Sequence, residues 1–450
     1  MMTATRMRIG CGAGFAGDRV TPAVDLIERG GLDVVVLECL GERTVALAQA
    51  RRLTGTGPGY DPLLARRMKA LLGPLHRHGT RLVTNAGSAD PLGAARMVAG
   101  LTRAAGVPLR VAAVLGDDVT DLIDPASPAW EDGRPLEAHG EIVSAGAYIG
   151  ADALLPALET DAQVILTGRM ADPSLFLGPL MHAFGWADTD LDLLARGTVV
   201  GHLLECAGQV SGGYFAGPGP TSVPRLADLG YPLAEVDPDG GAVLTKTPGT
   251  GGRVDRHTVV EQLTYEVIDP RAYLTPDVAA DLTTVGVHDL GGDRVRVSGA
   301  RGRPRPAELK VSVGYRAGFR GEAEIGYAGR DARARARLAA EVVRERLSGV
   351  VPRLRADLIG VDALYGGPVS DGEGPYECRL RVAGIGPDRE TAEAVAEEVG
   401  ALYTCGPAGG GGVRSSVTEV IGVVSTGVPR EAVTTRVEVV GDEGRDVGTR

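Results

Sequence analysis

Aromatic residues make up only 4% of this 450-residue chain, and lysine occurs three times, at Lys69, Lys246 and Lys310. A core so poor in aromatics must be built from Val, Leu, Ile and Ala. Arginine carries nearly all the positive charge, which makes an isolated Lys246 inside a motif worth following. The five cysteines (Cys11, Cys39, Cys206, Cys378 and Cys405) are scattered, odd in number and form no C-x-x-C pair. That argues against a disulfide framework and a structural zinc site, and for reduced thiols in the cytoplasm. No apolar run is long enough to span a bilayer, and the start of the chain is too short and polar for a signal peptide. The formal net charge is −11, and no Lys/Arg cluster with interleaved aromatics offsets it. Neither nucleic acid nor a membrane is therefore expected as a partner. There is no G-x-S-x-G elbow, so an α/β-hydrolase reading is poor, and the seven histidines form no H-x-x-x-H pair.

What is present is a cadence. Apolar runs at 7–11, 34–37, 81–84, 109–115 and 164–166 alternate with amphipathic stretches at a period of about 30 residues. That spacing indicates βαβ units and a parallel sheet in a three-layer α/β domain. The polar residues Glu38, Asn85, Asp117, Asp118, Arg169 and Asp172 each fall just after a predicted strand. Strand ends of a parallel sheet share one edge, where open α/β sheets bind ligands. Thr167-Gly168-Arg169-Met170-Ala171-Asp172-Pro173-Ser174 is the sharpest of these turns. Asp172 is a natural N-cap and Pro173 suits the first turn of a helix over 175–184. As a group, the six are candidate catalytic residues: carboxylates act as general acid and base, and Arg169 stabilises an oxyanion or binds a carboxylate. Asp117 and Asp118 are also possible Mg²⁺ ligands. His202, near Glu205, is the histidine to test as a base.

Glycine loops supply the other candidates. Gly12-Ala13-Gly14-Phe15-Ala16-Gly17 spells G-x-G-x-x-G, with Glu38 about 20 residues on, yet the helix starts late, near Thr21-Pro22. NAD(P) binding is thus a lesser alternative to a glycine turn that brings backbone, at Gly14, close to a ligand. Ser211-Gly212-Gly213 is a second loop. A third, 246–252, holds Lys246, Thr250, Gly251 and Gly252; it lacks P-loop spacing but offers amides for an anion nest, or forms a plain tight turn.

From about residue 256 the texture changes. Strands at 309–315 and 322–327, a helix over 331–347, strands at 359–365 and 378–382, a helix over 388–399 and a closing strand at 417–424 suggest an α+β, ferredoxin-like domain. Four consecutive glycines at 409–412 precede Val413-Arg414. Either that loop is mobile, or Gly410 and Gly411 let backbone pass near a ligand or a neighbouring chain, and Arg414 could pair with a carboxylate. The expected division is 5–255 for the α/β domain, 256–442 for the ferredoxin-like domain and 443–450 for a charged, disordered tail.

The stretches 8–18, 85–87, 167–175, 201–214, 261–270, 295–304 and 406–414 resemble the AtuA-like family, named for acyclic terpene utilisation. The resemblance implies a bacterial cytoplasmic protein often encoded beside acyl-CoA carboxylation and degradation enzymes. It also implies an N-terminal α/β domain and a ferredoxin-like C-terminal region, and assigns no reaction or catalytic residues. Longer relatives carry a further C-terminal domain, which a partner subunit could supply here. Residues and resemblance together point to an enzyme acting on an acyl-CoA thioester or small carboxylic acid by hydration–dehydration, isomerisation or C–C cleavage, a lyase or hydratase in type. A non-catalytic acyl-CoA-binding or scaffolding subunit of a carboxylase-linked complex is the alternative. A homo-oligomer is expected, and no cofactor beyond possible Mg²⁺.

Overall fold

The computed structural model describes residues 5–366 and 375–441; the tail expected at 443–450 lies outside them. Two compact units emerge among the described residues: 5–136, 143–314 and 423–441 form the first, and 137–142 with 315–366 and 375–422 the second. Residues 256–314, expected in the second domain, contribute strands to the main sheet of the first.

The first unit starts as its apolar pattern dictates. Strands β1 (Met7–Ala13), β2 (Val34–Leu37), β3 (Arg81–Thr84) and β4 (Val111–Leu115) alternate with helices α1 (Thr21–Gly30), α2 (Glu42–Leu53), α3 (Leu64–His78) and α4 (Pro91–Ala105). Strand β5 (Ile142–Ala147), the short helix α5 (Leu155–Leu158), β6 (Val164–Leu166), α6 (Ser174–Phe184) and α7 (Leu191–Leu204) follow. β2 and β6 read Val-Val-Val-Leu and Val-Ile-Leu and are buried throughout, as parallel strands covered on both faces must be. α1, α3 and α4 pack side by side, and α6 packs on α7. α4 starts where the sequence signals it: the Asp90 carboxylate accepts the Gly93 amide at 2.9 Å, and Pro91 opens the first turn.

The parallel set β1-β2-β3-β6-β4 is half of a larger mixed sheet. β7 (Pro232–Val236) runs antiparallel to β1, and β8 (Ala242–Lys246) antiparallel to β7. Only a tight turn joins them, with Gly240 at φ 78°, and a connection that short permits nothing but antiparallel pairing. β9 (Tyr273–Leu274) and β10 (Ala279–Asp281) join β13 (Arg301–Arg303) in a small separate sheet. β11 (Gly286–Asp289) and β12 (Val295–Ser298) extend the main one, preceded by α8 (Arg256–Thr264). The expected parallel sheet is therefore corrected to a ten-stranded mixed sheet, β11-β12-β8-β7-β1-β2-β3-β6-β4-β18, closed by β18 (Arg436–Val440) antiparallel to β4.

The runs expected as two strands at 309–315 and 322–327 are one 21-residue strand, β14 (Glu308–Ala328). In the second unit it is followed by α9 (Ala332–Arg346), β15 (Arg353–Ile359), β16 (Glu377–Gly386), α10 (Arg389–Cys405) and β17 (Gly411–Pro429). The sheet order is β15-β16-β14-β17. Burial alternates along β16, and α9 and α10 pack on it and on each other. The strand expected at 359–365 is displaced: 353–359 pairs with β16, and the chain turns at Gly360 with φ 92°. Among the described residues, no helix is long and apolar enough to cross a membrane.

Candidate functional site

The turn after β6 is fixed by one glycine. A Cβ on Gly168 would overlap the carboxylate of Asp117, so only glycine lets that carboxylate accept the Arg169 amide, at 2.6 Å. The Arg169 side chain is thereby turned inward and is 2% exposed. Its guanidinium donates to the Leu40 carbonyl at 2.7 Å and to Asp172 Oδ1 at 2.9 Å, and lies 4.0 Å from the centre of the Tyr148 ring. Its Nε is buried without a partner. Asp172 is not the helix cap the sequence suggested: α6 has no side-chain cap, because the Asp172 carboxylate is taken by Arg169.

Glu38 and Asn85 meet at the ends of β2 and β3. Glu38 Oε1 accepts the Asn85 side-chain amide at 2.9 Å and the Leu40 amide at 2.7 Å, while Asn85 Oδ1 accepts the Cys39 amide. Burial pushes the Glu38 carboxyl well up, and the nearby charge of Asp172 adds to it against the pull of Asn85 and Arg169. Asp172 is raised by burial and held back by Arg169. Burial also raises Asp117, to about 7. Five of the six strand-end candidates are thus gathered. Asp118 is the exception. It is exposed, and its carboxylate is engaged by the Thr120 amide and hydroxyl. Among the described residues, no three His, Cys, Asp or Glu side chains group as metal ligands would.

Arg169 and Asp172 open onto a cavity of about 600 Å³. Tyr148, Lys310, Glu42, Glu266, Glu308 and Tyr273 add to its polar wall, and Trp130, Leu274, Pro276 and Pro306 to its apolar side. Lys310 pairs with Glu42 and sits 4.9 Å from the Tyr148 ring. Behind Tyr273 lies the pair the sequence flagged. His202 Nδ1 is 2.9 Å from Glu205 Oε1, and the imidazole packs on the Tyr273 ring at 4.9 Å. Burial alone would lower the His202 pKa, but the hydrogen bond and charge of Glu205 carry it upward; burial pushes Glu205 to about 7. Two non-glycine residues with positive φ flank this cluster, Ala207 at 43° and Glu266 at 58°. Such backbone is uncommon and collects at sites.

The glycine loops are occupied by the protein itself. A Cβ on Gly14 would lie 2.5 Å from the Cys206 backbone, and the Gly14 amide is bonded to Asp18. The close approach is therefore to the 206 turn. Ser211 donates to the Gly230 carbonyl, and the Gly212 and Gly213 amides bond Gln209 and Gly208. Lys246 donates to the Thr250 carbonyl at 3.0 Å and pairs with Asp293 at 3.2 Å. The Thr250 hydroxyl bonds Thr247, and the Gly251 and Gly252 amides bond Asp228 and Pro224. These groups brace turns and leave those amides no free anion nest. Gly410, Gly411 and Arg414 belong to the second unit, where Gly410 packs close to Ile325 and Tyr327 and Arg414 is exposed on β17.

Tyr148 and Tyr273 carried no linear signal, and Glu266 lay within the family-like stretch 261–270 with nothing to single it out. Lys310 did, as one of three lysines, but Lys246 sat in the more conspicuous glycine motif.

The fold defines an α/β protein, with a charged cavity at the ends of its parallel strands. The chain belongs to the acyclic terpene utilisation family protein AtuA family, whose family profile matches residues 7–439. No curated protein and no solved structure matches the chain.

Proposed function

We propose that the chain is an enzyme that acts on an acyl thioester or small carboxylic acid by acid/base chemistry, at the cavity bounded by Arg169 and Asp172. The observation that carries this is geometric: the Asp172 carboxylate, bonded to Arg169 at 2.9 Å, stands in the cavity wall. A carboxyl at such a wall can give or take a proton. Arg169, fixed by Leu40 and stacked on Tyr148, presents a preorganised positive charge to a developing oxyanion. Proton transfer at a carbon beside a carbonyl, as in hydration–dehydration or isomerisation, uses those two functions. A ferredoxin-like second unit fits its strand order, and the five free thiols support a reducing, cytoplasmic setting.

The alternative is a non-catalytic acyl-CoA-binding subunit, which the same polar wall would also serve. A thermal-shift screen of acyl-CoAs and of small di- and tricarboxylates finds the ligand, and turnover of each hit is then followed by mass spectrometry. For an enzyme, Asp172→Asn should lower turnover by about 10²–10⁴-fold with a small change in ligand affinity. Stabilisation without turnover in the parent protein supports the binding-subunit reading. No shift with any probe refutes the acyl-substrate proposal.

A further inference from the structure

A second cavity, of about 320 Å³, lies over the ends of β3 and β4 at the N-terminus of α4. Ser88 and Gln49 reach it with polar atoms that are buried and unpartnered, Ser88 Oγ and Gln49 Oε1, and Ser88 has no exposed surface at all. Native proteins leave few such groups unpaired, and each calls for a partner. Arg52 from α2 and Arg436 from β18 also line the cavity, both exposed to solvent. Arg52 spends one donor on the Ala89 carbonyl, and Arg436 spends its Nε on Glu438 at 3.4 Å, which leaves the terminal nitrogens of Arg436 for the cavity. Three carboxylates line it as well, and all have internal bonds. Asp90 caps α4 through the Gly93 amide, Asp118 is held by Thr120, and Asp117 accepts the Arg169 amide.

The open hydrogen-bonding capacity is therefore mixed. Ser88 Oγ can donate or accept, Gln49 Oε1 only accepts, and the two guanidinium groups only donate. A bare oxyanion would satisfy the arginines and leave Gln49 unpaired. A neutral polyol would do the reverse. A ligand with a hydroxyl next to an oxyanion answers both, with the helix N-terminus favouring the negative end.

We propose that this cavity is a second ligand site, for a small hydroxylated anion: a hydroxycarboxylate or a phosphorylated polyol. The hydroxyl bonds Gln49 and Ser88, and the carboxylate or phosphate bonds Arg52 and Arg436. The site does not depend on the chemistry assigned to the first cavity. Asp117 joins the two, since it lines the second cavity while bonding the backbone of Arg169, which lines the first.

The test is isothermal titration calorimetry of the full chain with four probes: malate, glycerol 3-phosphate, inorganic phosphate and glycerol. One or both of the first two should bind, and they distinguish the carboxylate from the phosphate source. Phosphate and glycerol alone should bind at least about tenfold more weakly, the factor one lost hydrogen bond to a charged group implies. Arg52→Gln with Arg436→Gln, both surface changes, should weaken binding at least about tenfold, and Ser88→Ala should weaken it less. Asp172→Asn should leave it intact, which separates this site from the first cavity. Absence of binding by both malate and glycerol 3-phosphate overturns the proposal. So does binding unaffected by the double arginine variant, binding of phosphate equal to that of glycerol 3-phosphate where the latter binds, or binding lost in Asp172→Asn.

Discussion

Replacing Asp117 by Asn should stabilise the first unit at alkaline pH and leave it unchanged in acid. The Asp117 carboxyl is raised by burial from 3.8 to about 7. Between those values the folded protein holds a proton that the unfolded chain has released. Its contribution to stability is therefore fully present below the unfolded pKa, falls as pH rises through the interval, and is gone above the folded pKa. A rise of roughly three pH units, each worth about 1.4 kcal/mol, makes the loss about 4 kcal/mol. Asparagine keeps an oxygen able to accept the Arg169 amide and has no charge to bury. The variant should match the parent near about pH 4 and exceed it by up to about 4 kcal/mol near about pH 8. Asp277, raised to about 6, and Glu205, raised to about 7, bend both curves in the same sense and cancel in the difference. Urea unfolding followed by tryptophan fluorescence is the assay, because Trp130 and Trp186 both lie in the first unit. Parallel curves across the pH range, or a variant less stable than the parent at alkaline pH, would refute the reasoning.

Two further outcomes follow from buried contacts. Arg67 and Asp61, each about 2% exposed, pair at 2.6 Å, and Arg67 also donates to the Ala16 carbonyl at 2.7 Å. Arg67→Met should cost about 3–5 kcal/mol in the same urea assay, with part recovered on adding Asp61→Asn; a loss under about 1 kcal/mol would mean the pair is solvated. Gly168→Ala forces a methyl onto the Asp117 carboxylate. It should cost about 1–3 kcal/mol and reduce the pH dependence ascribed to Asp117, and an unchanged pH profile would count against that contact.

The parallel strands were legible because their signal is local. Runs such as Val-Val-Val-Leu at β2 can hardly be anything but buried strand, and Asp90-Pro91 marks a helix start. The strand-end rule placed Glu38, Asn85, Asp117, Arg169 and Asp172 together because all parallel strands end on one side of a sheet. It failed for Asp118, whose carboxylate is turned to the Thr120 amide and hydroxyl, a local bond the strand-end rule does not see. The antiparallel wing was harder to read, because β7 and β8 look locally like any other apolar strands. Glycine motifs misled in one consistent way. Gly14 is glycine because the Cys206 backbone passes close by, and Gly212 and Gly252 because their backbone turns at φ 101°; a sequence does not say whether such a glycine serves a ligand or the chain itself. The Tyr148–Arg169 stack and the Tyr273–His202 contact arise from pairs 21 and 71 positions apart, beyond any periodicity.

β18 has a consequence for how the molecule is made. Its partner β4 begins at Val111, while β18 begins at Arg436, 325 positions later. At a synthesis rate of about 5–20 residues per second, the β4 edge waits roughly 15–65 s on the ribosome before its final neighbour emerges. An apolar strand with one open side is a template for the wrong partner throughout that interval. Nascent chains of this protein should therefore depend on chaperone cover until β18 has left the exit tunnel.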